Sequence, residues 1–178
     1  MPSIFDKNSL LRLEEKLNVK FDNKVLLQKA ITHKSFPNEN PELKLNDNER
    51  LEFLGDTVLN LAISSYVFCN FSDYDEGELA KMKSVLVSEQ MLAQKAFKLN
   101  VGEHLLLGKG EEATGGRERK SILADAMEAI FGAIYLEKEF EYVKTFIQNL
   151  FEENVKDVDT GKYIRDFKTL LQELIQKR

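Results

Sequence analysis

An all-α fold is predicted by three features of the sequence. Apolar residues recur at helical spacing nearly throughout, only nine glycines and three prolines interrupt them, and no alternating strand pattern of convincing length appears. No internal repeat is visible, and 178 residues suffice for one domain with a sizeable core and a little left over.

The elements follow in order. Residues 9–17 (SLLRLEEKL) carry apolar side chains at 10, 11, 13 and 17, and residues 23–31 repeat the pattern. The run 48–68 is the longest periodic one, with Asp47 or Asn48 as its cap. Helices over 75–87 and 88–99 come next. Another long helix covers 121–136, with Ser121 as N-cap, and helices over 140–155 and 163–177 complete the set. Two segments read as loops: 36–45, with Pro37, Pro41 and several asparagines, and 108–120, with four glycines and mixed charge. The reading is one domain over 1–157, a linker over 158–162, and a remainder over 163–178 too short to be a domain.

Hydrophobic residues make up 43% and charged residues 31%, the balance of an ordinary globular protein rather than a disordered one. The longest uncharged run, 57–72, is short and broken by polar residues, so no transmembrane helix and no membrane partner are expected. The first residues lack a positive-then-apolar block, so no secretory signal is expected. Cys69, the single cysteine, lies in an apolar segment and reads as a buried thiol, which points to a reducing cytoplasm. A net charge of −5 argues against a nucleic-acid partner unless the negative charge is concentrated where cations bind.

The 48–68 helix shows such a concentration. At 100° per residue, Glu49, Glu52 and Asp56 fall within roughly a 60° sector, while Arg50, the helix's one cation, points away. Acids one turn apart most often mark a solvated face. A solvated face stays polar along its length, yet this sector continues into Leu59, Ile63 and Val67. The acids therefore sit at the edge of a core, where carboxylates repel one another, lose hydration and need a cation from elsewhere or a metal. Asp125 and Glu128 repeat the arrangement on a second, largely apolar helix, with Gly132 in their sector. Two such helices suggest one shared site for a hard divalent ion, Mg²⁺ or Mn²⁺. Only His33 and His104 are present, which disfavours zinc. Spacing alone yields a helical, carboxylate-only metal site suited to phosphate chemistry.

These residues sit inside a longer pattern. Asn48-Glu-Arg-Leu-Glu-Phe-Leu-Gly-Asp-Thr-Val-Leu59 resembles the signature motif of the ribonuclease III family, and Ile122-Leu-Ala-Asp-Ala-Met-Glu-Ala129 resembles its second acidic motif. Thr32-His-Lys-Ser35, Asp75-Glu-Gly-Glu78 and the run from Leu107 to Gly116 add supporting matches, so the likeness spans about residues 8–155 in the family's order. Thr57 departs mildly, standing where serine or alanine is commoner.

The resemblance implies an all-α, homodimeric endonuclease domain that cleaves double-stranded RNA with Mg²⁺, for which Mn²⁺ substitutes. It implies Glu52, Asp56, Asp125 and Glu128 as the catalytic, metal-holding carboxylates, with Asp56 and Glu128 the most direct ligands. Glu49 and Glu76 match supporting acids, and Phe53 matches an aromatic that plugs a pocket on the partner subunit. Products would carry 5′-phosphate and 3′-hydroxyl ends with short 3′ overhangs, in ribosomal and messenger RNA processing. The family continues into a double-stranded-RNA-binding domain, whose opening helix Asp166-Phe-Lys-Thr-Leu-Leu-Gln-Glu173 resembles. The expected organisation is a nuclease domain with only the start of that second domain.

Plainer readings stand beside these. His33 ends a predicted helix and reads as its C-terminal cap rather than a catalytic base. Arg117, Arg119 and Lys120 suit RNA phosphates, but Glu111, Glu112 and Glu118 among them equally suit a solvated loop. Two other classes remain open on the residues alone: an inactive RNA-binding protein of the same fold, and an all-α nucleotide pyrophosphohydrolase.

Overall fold

The computed structural model describes residues 7–159. Its helices are α1 (Lys7–Leu17), α2 (Lys24–Ala30), α3 (Ser35–Glu39), α4 (Glu49–Asn70), α5 (Glu76–Leu86), α6 (Glu89–Lys98), α7 (Val101–His104), α8 (Lys109–Ala113) and α9 (Lys120–Asp159). Short 3-10 turns lie at Pro41–Leu43 and Gly116–Glu118. Among the described residues the only extended pairing is an isolated parallel bridge between Thr32 and Leu106.

The core is organised by α4 and α9, which pack along each other, with α2, α5 and α6 laid against α9. The first part of α9 is buried almost without interruption from Ile122 to Ile134, as a helix enclosed by neighbours must be. On α4 the predicted apolar sector is buried: Leu59 and Ile63 completely, Val67 nearly so. Local chemistry starts several helices where the sequence indicates. Asn23 Oδ1 accepts the Val25 N–H at 3.2 Å. Asp75 and Glu78 form a reciprocal capping box at 2.8 and 2.9 Å. Ser88 Oγ accepts the Met91 N–H at 3.3 Å.

Several expectations are corrected. Both segments read as loops contain helical turns, α3 with Pro41–Leu43 in one and α8 with Gly116–Glu118 in the other. They lock together: the Glu39 carboxylate accepts the Lys109 and Gly110 N–H groups at 2.7 and 3.2 Å, satisfying donors at the start of α8. Ser121 is not the cap of α9, which begins a residue earlier, after extended Arg119, whose carbonyl accepts the Leu123 N–H. The helices expected at 121–136 and 140–155 form one element, broken at Glu139, which has φ 68° and ψ 174°. The second span runs to Asp159, with Val158 buried, so the first two residues of the expected linker are helical. The 163–177 helix lies outside the described residues.

Cys69 is exposed rather than buried, because the last turn of α4 leaves the core and carries Phe68 and Asn70 into solvent with it. His33 does not cap α2. That helix ends at Ala30, and the His33 N–H donates instead to Leu106 O at 3.0 Å beside the isolated bridge. No helix among the described residues is long and apolar enough to cross a membrane.

Candidate active site

The two acid-bearing helices meet through glycine. A β-carbon added at Gly55 would lie 1.7 Å from the Glu128 carbonyl oxygen, and one added at Gly132 would lie 2.4 Å from the Leu51 carbonyl oxygen. The backbones therefore touch, a separation that no side chain at either position would permit. Gly55 adjoins Asp56 and follows Glu52 by three residues, while Asp125 and Glu128 lead into Gly132. The contact brings the four predicted carboxylates to one rim at the edge of the core.

The carboxylates feel one another there. Burial pushes the Glu128 carboxyl up to about 8, with the charges of Asp56, Glu52 and Asp125 adding to the shift. Glu52 is raised by burial and then by Asp125 and Glu49, against an opposing pull from Lys34. Asp125 is raised by burial and by Glu89, with His33 and Lys34 opposing. No ion pair joins any of the four to a cation among the described residues. Crowded, partly desolvated carboxylates without a paired cation suit a divalent ion. No three acidic, imidazole or thiol side chains among the described residues converge into a ready coordination sphere. The donor set thus fits a hard divalent ion by its chemistry.

The other predicted residues divide. Glu49 stands at the exposed end of the rim, held by Lys34 Nζ at 3.0 Å. Glu76 is not brought to the four. It opens α5 and lines a groove with Leu61, Ser64 and Phe68, about two turns along α4 from Asp56. Phe53 is 78% exposed, so it is not a core residue of this chain. Arg117 is engaged within the chain: Nη1 donates to Gly102 O in α7 and to Leu105 O at its C-terminal end, at 2.8 and 2.9 Å, and Nε pairs with Glu112 at 2.5 Å. Arg119 pairs with Glu111 and donates to Thr114 Oγ1 at 3.1 Å, while Lys120 stands exposed at the start of α9.

Three neighbours of the rim are not placed there by the sequence reading. Lys34 and His33 come from the α2–α3 connection, and only the tertiary fold places them near the acids. The His33 ring is held by Ser35, whose N–H donates to Nδ1 at 3.3 Å and whose Oγ lies 2.8 Å from the same nitrogen. Ser35 Oγ also accepts the Gly108 N–H at 2.8 Å. Burial lowers the His33 pKa, against opposing pulls from Glu111, Asp125 and Glu49. The third neighbour, Asn60, donates Nδ2 to Asp56 Oδ1 at 2.7 Å. Its signal was present in the sequence, as an amide one turn after an acid on a predicted helix.

Comparison with known proteins identifies the family and the fold. A Ribonuclease-III-like family model matches residues 23–154. Ribonuclease 3 of Treponema denticola is 48% identical over 172 residues, covering 97% of this chain and 70% of that protein. Ribonuclease 3 of Clostridium botulinum is 49% identical over 165 residues, covering 93% and 70%. Among solved structures, a ribonuclease III nuclease domain from Campylobacter jejuni superposes with a TM-score of 0.75 at 47% identity, covering 80% of this chain and 96% of that one. That structure is described for flexibility in a region involved in dimer formation. Dicer from Pichia stipitis gives a TM-score of 0.58 at 26% identity, covering 78% and 58%. With most of its length matched and the acidic motifs meeting on one rim, the chain belongs to the ribonuclease III family of endoribonucleases.

Proposed function

We propose that this chain hydrolyses the phosphodiester bonds of double-stranded RNA with Mg²⁺, or Mn²⁺ in its place, through Glu52, Asp56, Asp125 and Glu128. The observation that carries the reading is the Gly55–Glu128 backbone contact, which sets two acid pairs from distant parts of the sequence on one rim. Asp56 and Glu128 would hold the ion most directly, and Glu52 and Asp125 would complete the donor set. A bound divalent ion would supply positive charge for the phosphate and lower the pKa of water. Water adds to phosphorus and the bond from phosphorus to the 3′ oxygen breaks, giving 5′-phosphate and 3′-hydroxyl ends. No side-chain nucleophile is needed. Duplex recognition would rest on shape and 2′-hydroxyl contacts, with Lys120 and the Arg117–Arg119 turn as candidate phosphate contacts.

The unit of function is proposed to be a homodimer, each subunit cutting one strand to leave short 3′ overhangs. Phe53, Thr57, Leu61, Ser64 and Phe68 fall within roughly an 80° sector of α4, and Phe53, Leu61 and Phe68 are exposed large apolar side chains on it. The same face borders a groove of about 390 Å³ lined by Leu61, Phe68, Leu79, Ala80 and Glu76. A two-fold axis across α4 would seat each Phe53 in the other subunit's groove, an isologous exchange. Glu76 of the partner subunit would then arrive beside Glu52, which accounts for its distance from the acids of its own chain.

The organisation proposed is a nuclease domain whose last helix runs to Asp159, a short linker up to 162, and the opening of a double-stranded-RNA-binding domain over 163–178. The setting proposed is ribosomal and messenger RNA processing in the cytoplasm. End-labelled duplex RNA incubated with the chain and Mg²⁺ tests the reading. Short duplex products with 5′-phosphates are expected, EDTA should abolish them, and nucleoside triphosphates should survive. Intact duplex beside hydrolysed triphosphate would overturn it.

A further inference from the structure

We propose that Asn60 is a positioning residue for Asp56, and through it for the divalent ion that the acidic rim would hold; this rests on the reading of that rim as a metal site. Asn60 lies one turn after Asp56 on α4 and is half-buried, while Asp56 is exposed. Asn60 Nδ2 donates to Asp56 Oδ1 at 2.7 Å and to the Asp56 main-chain oxygen at 2.9 Å, so both amide hydrogens are directed at one residue. The chemistry fixes this orientation: an ionised carboxylate and a carbonyl only accept, so the nitrogen of the amide must face them. Of the four carboxylates, Asp56 alone accepts a side-chain hydrogen bond from another described residue.

An exposed amide–carboxylate pair one turn apart adds little to helix stability, so direction is its larger consequence. An aspartate as exposed as Asp56 has several rotamers open to it. Holding Oδ1 selects one of them and leaves Oδ2 as the oxygen offered to an ion. Outer partners of this kind orient ligands and tune metal affinity. A neutral amide does so without cancelling charge. A lysine in the same place would orient the carboxylate and also compete with the metal, as Lys34 does at Glu49, the acid outside the set of four.

The test is a Mn²⁺ titration of the RNA-free chain by calorimetry, beside the Mn²⁺-induced rise in melting temperature and the Mn²⁺ needed for half-maximal cleavage. Asn60→Leu should weaken Mn²⁺ binding by about 10- to 100-fold, with cleavage largely recovered at saturating Mn²⁺. Asn60→Gln should stay within a few-fold of the parent, and Asn60→Lys should bind more weakly than Asn60→Leu. Asn60→Ala gives the same answer should leucine disturb the fold, and melts in EDTA with light scattering check folding and assembly. Unchanged Mn²⁺ affinity in Asn60→Leu and Asn60→Ala, with Asp56→Asn strongly impaired, would overturn the positioning role alone. Unchanged affinity in Asp56→Asn as well would overturn the metal site and this role together.

Discussion

Gly55 on α4 and Glu128 on α9 are in backbone contact, with room for a hydrogen but not for a methyl group between Gly55 Cα and the Glu128 carbonyl oxygen. The contact spans the core at the level of the acids. It makes the spacing of the two helices a property of glycine rather than of side-chain packing.

Gly55→Ala should therefore be severely destabilising. Overpacking a core usually costs about 1–3 kcal/mol, and a clash with main chain at 1.7 Å leaves no flexible side chain to yield. A loss of about 3 kcal/mol or more is expected, read as a large drop in urea midpoint or as insolubility. Gly110→Ala, whose added carbon would meet only Glu39 Oε1 at 3.5 Å, is the control and should melt close to the parent.

Glu128→Gln should fold, assemble and bind duplex RNA, yet lose nearly all cleavage, since the charge and anionic oxygen it removes are those assigned to the metal. Without metal it should melt higher than the parent near pH 7, because glutamine is neutral from the start, whereas Glu128 must be held protonated well above its ordinary range in the folded chain. A structural salt bridge predicts the reverse, a loss of about 3–5 kcal/mol from an uncompensated cation. Melts in EDTA beside a cleavage gel separate the two, and a variant that melts much lower but cuts normally would end the assignment.

The same residue gives the metal-free protein a pH dependence of defined sign. Glu128 titrates near its ordinary 4.5 when unfolded and at about 8 when folded. Between those values the folded chain keeps a proton that the unfolded chain has released, so stability falls as pH rises through the window. Glu52 and Asp125, also raised, act in the same direction. His33 and His104 are both lowered and act oppositely, but only below their ordinary 6.5. The clearest window is thus pH 6.5 to 8, with a slope of at most about 1.4 kcal/mol per pH unit for one proton, reduced by the solvent that reaches the rim. Melting temperatures in EDTA should fall across it. Mn²⁺ or Glu128→Gln should flatten the slope, and equal slopes in parent and variant would contradict the assignment.

Phe53→Ala separates assembly from folding. The ring is 78% exposed, so its loss should change chain stability little. If the ring anchors a subunit interface, its truncation should weaken the dimer by about 2 kcal/mol or more. Light scattering across micromolar concentrations reads the shift. A parent chain that is monomeric there would remove the dimer from the proposal.

Sequence legibility follows the range of the forces involved. The 3.6-residue period exposed α4 and the first span of α9, because burial on one side leaves its mark every turn. The same period placed Glu52 with Asp56 and Asp125 with Glu128. It also foretold that the acids sit where the helix enters the core, with Leu59 and Ile63 beneath them. Nothing local foretold that Gly55 abuts Glu128, that Lys34 reaches Glu49, or that Glu39 caps α8 across 70 residues. Those contacts join segments remote in sequence. Cys69 misled because it extends an apolar run whose last turn has already left the core.

The break at Glu139 has a mechanical consequence. The span of α9 beyond it is moored independently: Lys95 on α6 bonds Asn154 and stands over the Phe151 ring at 5.2 Å, and the Tyr74 hydroxyl donates to Asp159 at 2.6 Å. The span before it is clasped to α4 at Gly55 and Gly132. Between them lies one residue outside helical geometry. A tug at Asp159 would be borne first by α6 and Tyr74, and only beyond the break at Glu139 by the clasp that holds Asp125 and Glu128 beside α4.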